Sequence, residues 1–148
     1  MEDTPNSLFY WRQLPHWRTE GAVYFVTWRV LRGQPDLEPA ERTLVLGAIR
    51  YFDGDRYDLL AAVVLNDHVH VLVLPREPYG LNKIMHSWKS FTAHSLQRVG
   101  RRGAVWQAES FDRIVRSEPD FVEKANYILE NPSKRWPHLA GYEWTHCK

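Results

Sequence analysis

Residues 57–74 read YDLLAAVVLNDHVHVLVL, two apolar runs that meet at Asn66-Asp67. Runs of this length that are rich in valine and leucine are typical of buried β-strands, and an Asn-Asp pair between them favours a tight turn. A tight turn makes its two strands antiparallel neighbours. The stretch therefore predicts a β-hairpin with strands over residues 57–65 and 68–74.

Composition and periodicity predict five further elements on either side of the hairpin. In chain order they are a strand over residues 22–30 and a helix over 38–52, then a helix over 81–99, a strand in two pieces over 105–107 and 111–115, and a third helix from the N-cap Ser117 to about Leu129. Pro132 is expected to end the third helix, because the residue before a proline disfavours helical geometry. The first six elements follow the β-α-β-β-α-β order of a ferredoxin-like fold.

This order predicts an α+β, RRM-like antiparallel sheet with two helices on one face. The other face is left available for a ligand, and the additional C-terminal helix has to pack somewhere on this frame. No repeat, linker or low-complexity tract divides the chain, so we expect one domain over residues 1–148. An irregular arm over residues 1–20 and a tail over residues 133–148 flank the regular elements.

The composition limits where the protein works. Of its 148 residues, 44% are hydrophobic, which suffices for one buried core. Cys147 is the single cysteine, so an internal disulfide and a cysteine-based zinc cluster are excluded. No apolar run approaches the roughly 20 residues that span a bilayer. We therefore expect no membrane association and a reducing, cytoplasmic location.

Charge is balanced in sum but uneven along the chain. The formal net charge is +1, from 19 basic and 18 acidic side chains, so bulk charge gives no support for a nucleic-acid partner. Individual side chains are still candidates for contacts to phosphates and unpaired bases. The candidates are the cations Lys89, Arg98, Arg101, Arg102, Arg113, Lys134 and Arg135 and the aromatic residues Trp11 and Trp17. The alternatives are a solvated surface charge for each cation and ordinary packing for each tryptophan.

His68 and His70 are two residues apart on a predicted strand, so their side chains share one face. Val69 and Val71 point to the opposite face, toward the two helices. A neutral imidazole is the commonest metal ligand in proteins, and two on one face form half of a site for a divalent ion. The alternative is a pair of histidines that only form hydrogen bonds or lie exposed.

Tyr127 and Asn131 are four residues apart on the third predicted helix, so they also share one face. An amide oxygen from Asn131 can complete the shell of a hard cation such as Mg²⁺. A phenol is a poor nucleophile at neutral pH unless a cation or metal favours its ionised form. Taken alone, Tyr127 is more often a helix tyrosine whose hydroxyl lies at the surface.

Together these motifs make the chain recognisable. It resembles the IS200-like, or Y1, transposases, and within them the REP-associated tyrosine transposases, of the HUH class of single-strand nucleases. The resemblance covers most of the chain. It is carried by LPHWR at 14–18, YFVTWR at 24–29, LNDHVHVLV at 65–73, WKSFT at 88–92, VWQ at 105–107, FDR at 111–113 and YILENP at 127–132.

The resemblance implies metal-dependent cleavage and rejoining of single-stranded or hairpin DNA, as in DNA transposition. His68, His70 and Asn131 would hold Mg²⁺ or Mn²⁺, and Tyr127 would attack the scissile phosphate to form a 5′-phosphotyrosine link. The resemblance also implies a bacterial, nucleoid-associated protein. Either a homodimer or a monomer fits it, because relatives receive the tyrosine helix from a partner subunit or from the same chain.

The chain departs from its relatives at three points, and two other functions stay open. Relatives commonly carry Pro-Asn where this chain has Asn66-Asp67, and they follow Asn-Pro with a small or basic apolar run where this chain has SKRW at 133–136, which leaves the role of the tail open. Asn131 is an amide rather than a carboxylate, which predicts modest metal affinity. One alternative is a non-catalytic, RRM-like nucleic-acid-binding module, which would need aromatic residues on the histidine face. The other is a hydrolase or structural zinc protein that uses only His68 and His70, which leaves Tyr127 without a role.

Overall fold

The predicted hairpin lies at the centre of the sheet. In the computed structural model, which describes residues 21–148, strands β2 (Tyr57–Val64) and β3 (His68–Pro75) pair antiparallel with Val64 opposite Val69. The Leu65 N–H donates to the His68 carbonyl at 2.8 Å and closes the turn. The hairpin prediction is therefore confirmed.

The remaining elements of the described part are arranged around this hairpin. They are β1 (Val23–Val30), α1 (Pro39–Tyr51), α2 (Leu81–Arg98), β4 (Trp106–Val115), α3 (Glu118–Arg135) and β5 (Thr145–Cys147). The strands form one antiparallel sheet in the order β4-β1-β3-β2-β5. This confirms the predicted α+β, ferredoxin-like arrangement. None of the helices within residues 21–148 is long and apolar enough to cross a membrane.

The main core lies between the sheet and the helices α1 and α2. Val69, Val71 and Val73 of β3 are fully buried in it, because successive side chains of a strand point to opposite faces. Trp28 of β1 stacks on Trp88 of α2 with ring centroids 5.7 Å apart. Both predicted helices therefore cover the same face of the sheet.

Helix α3 packs on the opposite face of the same sheet. Its buried residues Phe121, Ala125 and Ile128 form a second core cluster with residues that include Phe25 of β1 and Leu72 of β3. The sequence left this face available for a ligand, and the structure shows that the additional helix covers part of it. The helix that carries Tyr127 therefore lies on the histidine face within one chain.

Helix α3 is longer than the sequence predicts. It begins after the cap Ser117, as expected, but it ends at Arg135 rather than near Leu129 and contains Pro132. A proline within a helix removes one backbone donor. Pro132 is buried, and its carbonyl accepts from the Trp136 N–H at 2.8 Å. Packing compensates for the single missing hydrogen bond, so the prediction that Pro132 ends the helix was wrong.

Two strands also differ from the prediction. β4 is one strand of 10 residues, whereas the sequence predicted separate pieces over residues 105–107 and 111–115. The polar residues between these pieces are extended because β1 lies alongside and offers backbone partners. β5 lies within the tail over residues 133–148 and pairs with the free edge of β2. Three residues that pair through the backbone leave no periodicity by which the sequence could reveal them.

Replacing Tyr57 by phenylalanine should lower the free energy of unfolding by about 1–3 kcal/mol. The buried Tyr57 hydroxyl donates to the Ile49 carbonyl at 2.6 Å and accepts from Trp88 Nε1 at 2.9 Å, so its loss leaves both partners unpaired. Urea denaturation measures the change. Tyr51→Phe is the matched control, because Tyr51 is 77% exposed. Equal effects of the two substitutions would contradict the prediction.

Candidate functional site

His68 and His70 form a buried pair on the face of β3 that α3 also covers. Each residue is 5% exposed, and their Nε2 atoms lie 3.0 Å apart. Two donors that are each roughly 2.1 Å from one ion are about 3 Å apart when they occupy neighbouring octahedral positions. The observed separation therefore fits two ligands of a single divalent ion.

The outer nitrogen of each ring is hydrogen-bonded within the protein. His68 Nδ1 lies 2.7 Å from the Asp67 carboxylate, and His70 Nδ1 lies 2.7 Å from the Thr27 hydroxyl. An ionised carboxylate only accepts, so His68 Nδ1 carries the hydrogen and Nε2 keeps its lone pair. The Thr27 hydroxyl can accept from His70 in the same way. Both Nε2 atoms can then bind a cation, and the outer contacts orient the rings.

Burial keeps both imidazoles neutral. It lowers the pKa of His70 to about 3, with further lowering from nearby positive charges, chiefly those of His68 and Arg29. Burial also lowers the pKa of His68, although the Asp67 carboxylate acts in the opposite direction. The neutral imidazole is the form that binds a metal ion. At neutral pH, protons therefore do not compete with a metal ion for this pair.

Helix α3 presents Tyr127, Asn131 and Arg135 at intervals of four residues, so they share one face. The Tyr127 ring lies edge-on to the His70 ring, with centroids 5.2 Å apart. Tyr127 is also 42% exposed, so a ligand can reach it beside the histidines. Asn131 is half-buried, and its side chain makes no hydrogen bond within the described residues. The structure thus brings Tyr127 to the histidine pair, while the ligand role of Asn131 stays a prediction.

Arg135 joins the end of α3 to the histidine hairpin. Its Nη1 donates to the Asp67 carboxylate at 2.9 Å and also to the Asn66 side chain. Burial acts to raise the pKa of Asp67, but hydrogen bonds from His68 and Arg135 outweigh it and hold the pKa below its ordinary value. The sequence predicts Arg135 as a candidate for a phosphate contact and Asp67 as a turn residue. In the structure the two form an ion pair beside His68, and the phosphate contact of Arg135 stays a prediction.

A cleft of about 410 Å³ opens beside His70 and Tyr127. Its lining residues are Phe25, Thr27, Arg29, His70, Phe111, Glu123, Lys124 and Tyr127. Arg29 is exposed and lies opposite His68 in the pairing of β1 with β3. The sequence did not single out Arg29. Thr27 and Arg29 are two residues apart on β1 and so share one face, which is a signal that could have identified Arg29. Lys124 Nζ donates to the Asp120 carboxylate at 2.9 Å, whereas Arg29 forms no ion pair within the described residues. The charge of Arg29 favours an anionic ligand in the cleft.

Two of the predicted phosphate contacts are engaged within the fold. The Arg101 side chain is buried, and its Nε donates to the Glu41 carboxylate at 2.7 Å. Lys89 Nζ donates to the Gln107 carbonyl at 2.9 Å and to the Ala108 carbonyl at 3.2 Å, which holds the start of β4 against α2. These contacts give both side chains a structural role.

The other predicted contacts are spread over the molecule. Arg113 lies 3.7 Å from a carboxylate of α3, and Lys134 Nζ lies 5.8 Å from the centroid of the Tyr127 ring. Both are therefore near the helix that carries the tyrosine. Arg98 and Arg102 are exposed near the end of α2, and Trp11, Trp17 and the whole arm over residues 1–20 lie outside the described residues.

Comparisons with known proteins identify the fold. No protein-family model matches the sequence, and no curated protein matches it. A REP-associated tyrosine transposase bound to a REP hairpin matches with a TM-score of 0.66 and 21% identity, over 84% of this chain and 74% of that one. This chain has the fold of that transposase. A protein of Deinococcus radiodurans R1 that is proposed to be a transposase gives a TM-score of 0.58 at 16% identity, over 80% of this chain and 96% of the other. The resemblance stated from the sequence is confirmed at the level of the fold.

Asp67→Ala should weaken Mn²⁺ binding by about 10- to 100-fold, because a metal-binding histidine depends on the partner of its other nitrogen. Isothermal titration calorimetry measures the affinity. Asp55→Ala removes an exposed carboxylate from the loop before β2 and should leave the affinity unchanged. If Asp67→Ala binds Mn²⁺ as tightly as the wild type, Asp67 does not orient a ligand.

The stability of the protein should fall on acidification, because His70 stays unprotonated when folded. Burial lowers its pKa to about 3 in the folded state, whereas an unfolded histidine has a pKa of about 6.5. As the pH falls below 6.5, the unfolded chain takes up the proton first, and between pH 7.5 and pH 5 this costs about 2 kcal/mol of stability. Urea denaturation at the two pH values measures the loss. Over the same pH range the His70→Gln protein should lose about 2 kcal/mol less of its free energy of unfolding than the wild type. An equal loss in both proteins would contradict the prediction.

Proposed function

We propose that this protein is a metal-dependent enzyme that cuts and rejoins single-stranded or hairpin DNA through a 5′-phosphotyrosine link, as in DNA transposition. The observation that carries the proposal is the Tyr127 ring 5.2 Å from the ring of His70, whose Nε2 lies 3.0 Å from that of His68. A histidine pair with a purely structural role would need no exposed nucleophile beside it. The fold shared with a REP-associated tyrosine transposase supports the same proposal.

The histidine pair is the proposed metal site. His68 and His70 would bind Mg²⁺ or Mn²⁺ through Nε2, with Asn131 as the third ligand. Two neutral imidazoles and an amide oxygen fit a divalent ion that accepts nitrogen and oxygen donors. When bound, the ion polarises the scissile phosphate and offsets the charge that develops during the displacement. Asp67 and Thr27 hold the two imidazoles in the orientation that this requires.

Tyr127 is the proposed nucleophile. Its Oη forms a bond to phosphorus, and the bond from phosphorus to the 3′ oxygen of the preceding nucleotide breaks. The phenolic proton passes to solvent, and the leaving oxygen takes up a proton to give a free 3′-hydroxyl. The phosphotyrosine keeps the energy of the broken phosphodiester, so a later attack by a 3′-hydroxyl rejoins the strands and releases Tyr127 without ATP.

The cleft beside Tyr127 is the proposed entry for the strand. Arg29 lines it and, because it forms no ion pair within the described residues, supplies positive charge for a phosphate beside the scissile bond. A cleft of about 410 Å³ is too small to admit a duplex, so the strand proposed to enter it is unpaired. The transposase that shares this fold is bound to a hairpin, which supports hairpin DNA with unpaired flanks as the substrate.

One chain supplies every part of the proposed site. Helix α3 packs on its own sheet through its buried apolar residues, and Arg135 joins it to Asp67. We therefore propose that Tyr127 acts on DNA held by the histidines of the same chain and that a monomer is sufficient. A homodimer that exchanged these helices would form the same contacts between its two chains, and a mixture of two inactive variants distinguishes the two arrangements.

The two other functions fit the observations less well. An RRM-like module stacks bases on an open sheet face, whereas here α3 covers part of that face and Phe25 beneath it is buried. A structural zinc site has four protein ligands. Across residues 21–148 no group of three or more His, Cys, Asp or Glu side chains is positioned to hold a metal ion.

A labelled DNA hairpin with single-stranded flanks, incubated with the protein and Mg²⁺ or Mn²⁺, should give a covalent protein–DNA adduct. Tyr127→Phe should abolish the adduct, because phenylalanine has no oxygen to attack phosphorus. Denaturing gel electrophoresis measures the adduct. The proposal fails if the adduct survives Tyr127→Phe, or if no hairpin with either metal gives one.

Three controls accompany this assay. Tyr51→Phe, a substitution on the other side of the sheet, should form the adduct as the wild type does, while EDTA or a fully paired duplex should prevent it. A mixture of His70→Ala and Tyr127→Phe proteins should form no adduct, because each chain uses its own α3. An adduct in the mixture would contradict the same-chain arrangement and show that the helix is exchanged between subunits.

A further inference from the structure

A second pocket lies at the end of α3, and the proposed chemistry does not use it. It has a volume of about 690 Å³. We call it the aromatic pocket, and its lining residues are Arg42, Arg135, Trp136, Pro137, His138, Leu139, Gly141, Tyr142, Glu143 and Trp144. It is formed by the C-terminal tail packing against α1 and the end of α3. The sequence analysis left the role of this tail open.

Three aromatic rings of the pocket are held in fixed positions. Trp136 stacks on Tyr142 with centroids 5.3 Å apart, and Tyr142 meets Trp144 edge-on at 5.2 Å. The Tyr142 hydroxyl donates to the Val64 carbonyl at 2.7 Å, and Trp144 Nε1 donates to the Thr43 hydroxyl at 2.9 Å. The polar atoms of Tyr142 and Trp144 are thus bonded to the protein, and all three half-buried rings line the pocket. Rings fixed in this way can stack on a ligand with little loss of side-chain entropy.

The pocket is also positively charged. The Arg42 guanidinium lies 5.0 Å from the centroid of the Trp144 ring and 5.9 Å from that of Trp136. Within the described residues Arg42 pairs with no carboxylate, and its Nε donates to the Leu37 carbonyl at 3.0 Å. Glu143 is the single acidic residue in the lining and is exposed. Aromatic rings combined with arginine are the chemistry that binds unpaired bases and the phosphates beside them.

Arg135 connects the aromatic pocket with the proposed metal site. Its guanidinium lies 6.0 Å from the centroid of the Trp136 ring, and the same group donates to Asp67, the partner of His68. This side chain therefore joins the pocket wall to the hairpin that carries the histidines. The contact makes a strand bound at the proposed metal site the candidate ligand of the pocket.

We propose that the aromatic pocket binds one unpaired base of the DNA strand next to the scissile phosphate, by stacking on Trp136 or Trp144 and by contact of Arg42 with the adjoining phosphate. This inference rests on the proposed function, since it names which part of the substrate the protein reads. If the rings only anchor the tail to the rest of the protein, substitution should change stability and leave DNA affinity unaltered.

The test uses protein that binds DNA but does not cut it. In the Tyr127→Phe background, fluorescence anisotropy measures the affinity for a hairpin whose flanking bases are replaced one at a time by an abasic site. One abasic position should weaken binding by about 5- to 150-fold, because stacking contributes about 1–3 kcal/mol per base. Either Trp136→Ala or Trp144→Ala should weaken binding of the intact hairpin by a similar factor and remove the penalty at that position.

Two matched variants and a crosslink complete the test. Tyr51→Ala removes an exposed aromatic ring from the other side of the sheet and should change neither affinity nor the abasic penalty. Arg42→Gln should lower the slope of log affinity against log salt by about 0.7, the value for one phosphate contact to a single strand. If Trp136→Ala does not fold, 5-bromouracil at the sensitive position of the wild-type complex should crosslink to Trp136 or Trp144, as mass spectrometry would show.

The outcomes separate this inference from the proposed function. An abasic penalty that is the same in both Trp136→Ala and Trp144→Ala, or crosslinks that map only elsewhere, would overturn the aromatic pocket as a base site even if the wild type forms its tyrosine adduct. Tighter binding of the same hairpin made of RNA would overturn the assignment to DNA. Absence of the tyrosine adduct together with a pocket-dependent abasic penalty would overturn the proposed reaction and support base binding.

Discussion

The two-residue period of β3 is the constraint on which the candidate site depends. Val69 and Val71 hold this strand in the core against α1 and α2, and the same alternation sends His68 and His70 to the other face. A slip of one residue would bury the imidazoles beneath the helices and turn the valines outward. The hydrophobic core therefore fixes the Nε2 atoms 3.0 Å apart as a consequence of holding the central strand.

Helix α3 combines a packing face with a chemical face. Ala125 and Ile128 are buried against the sheet, while Tyr127 is exposed beside the histidines. Burying a side chain as large as that of Ile128 stabilises the folded state by about 1.5–3 kcal/mol. A half-exposed ion pair such as that of Arg135 with Asp67 contributes about 1 kcal/mol or less. Apolar packing thus determines where the helix lies, and the ion pair determines how its end is oriented toward the hairpin.

The two imidazoles are not equivalent. His68 has a charged partner in Asp67, which raises the electron density on its ring, while His70 has a neutral hydroxyl partner in Thr27. The burial that keeps both rings neutral also disfavours the ionised form of Asp67. Arg135 offsets this cost because it donates a hydrogen bond to the Asp67 carboxylate and carries the opposite charge. A chain of contacts from Arg135 through Asp67 to His68 therefore relates the end of α3, the proposed metal site and the aromatic pocket.

Local patterns in the sequence determine the order of elements along the chain, the central hairpin, the shared face of His68 and His70 and the shared face of Tyr127 and Asn131, because these follow from periodicity within one segment and from the Asn66-Asp67 turn. It did not determine that α3 lies on the histidine face of its own chain, that Arg135 reaches Asp67, or that a tail strand extends β2. The tertiary structure decided these points because they depend on pairing and packing between residues far apart in the chain. No spacing or composition within a single segment records such contacts.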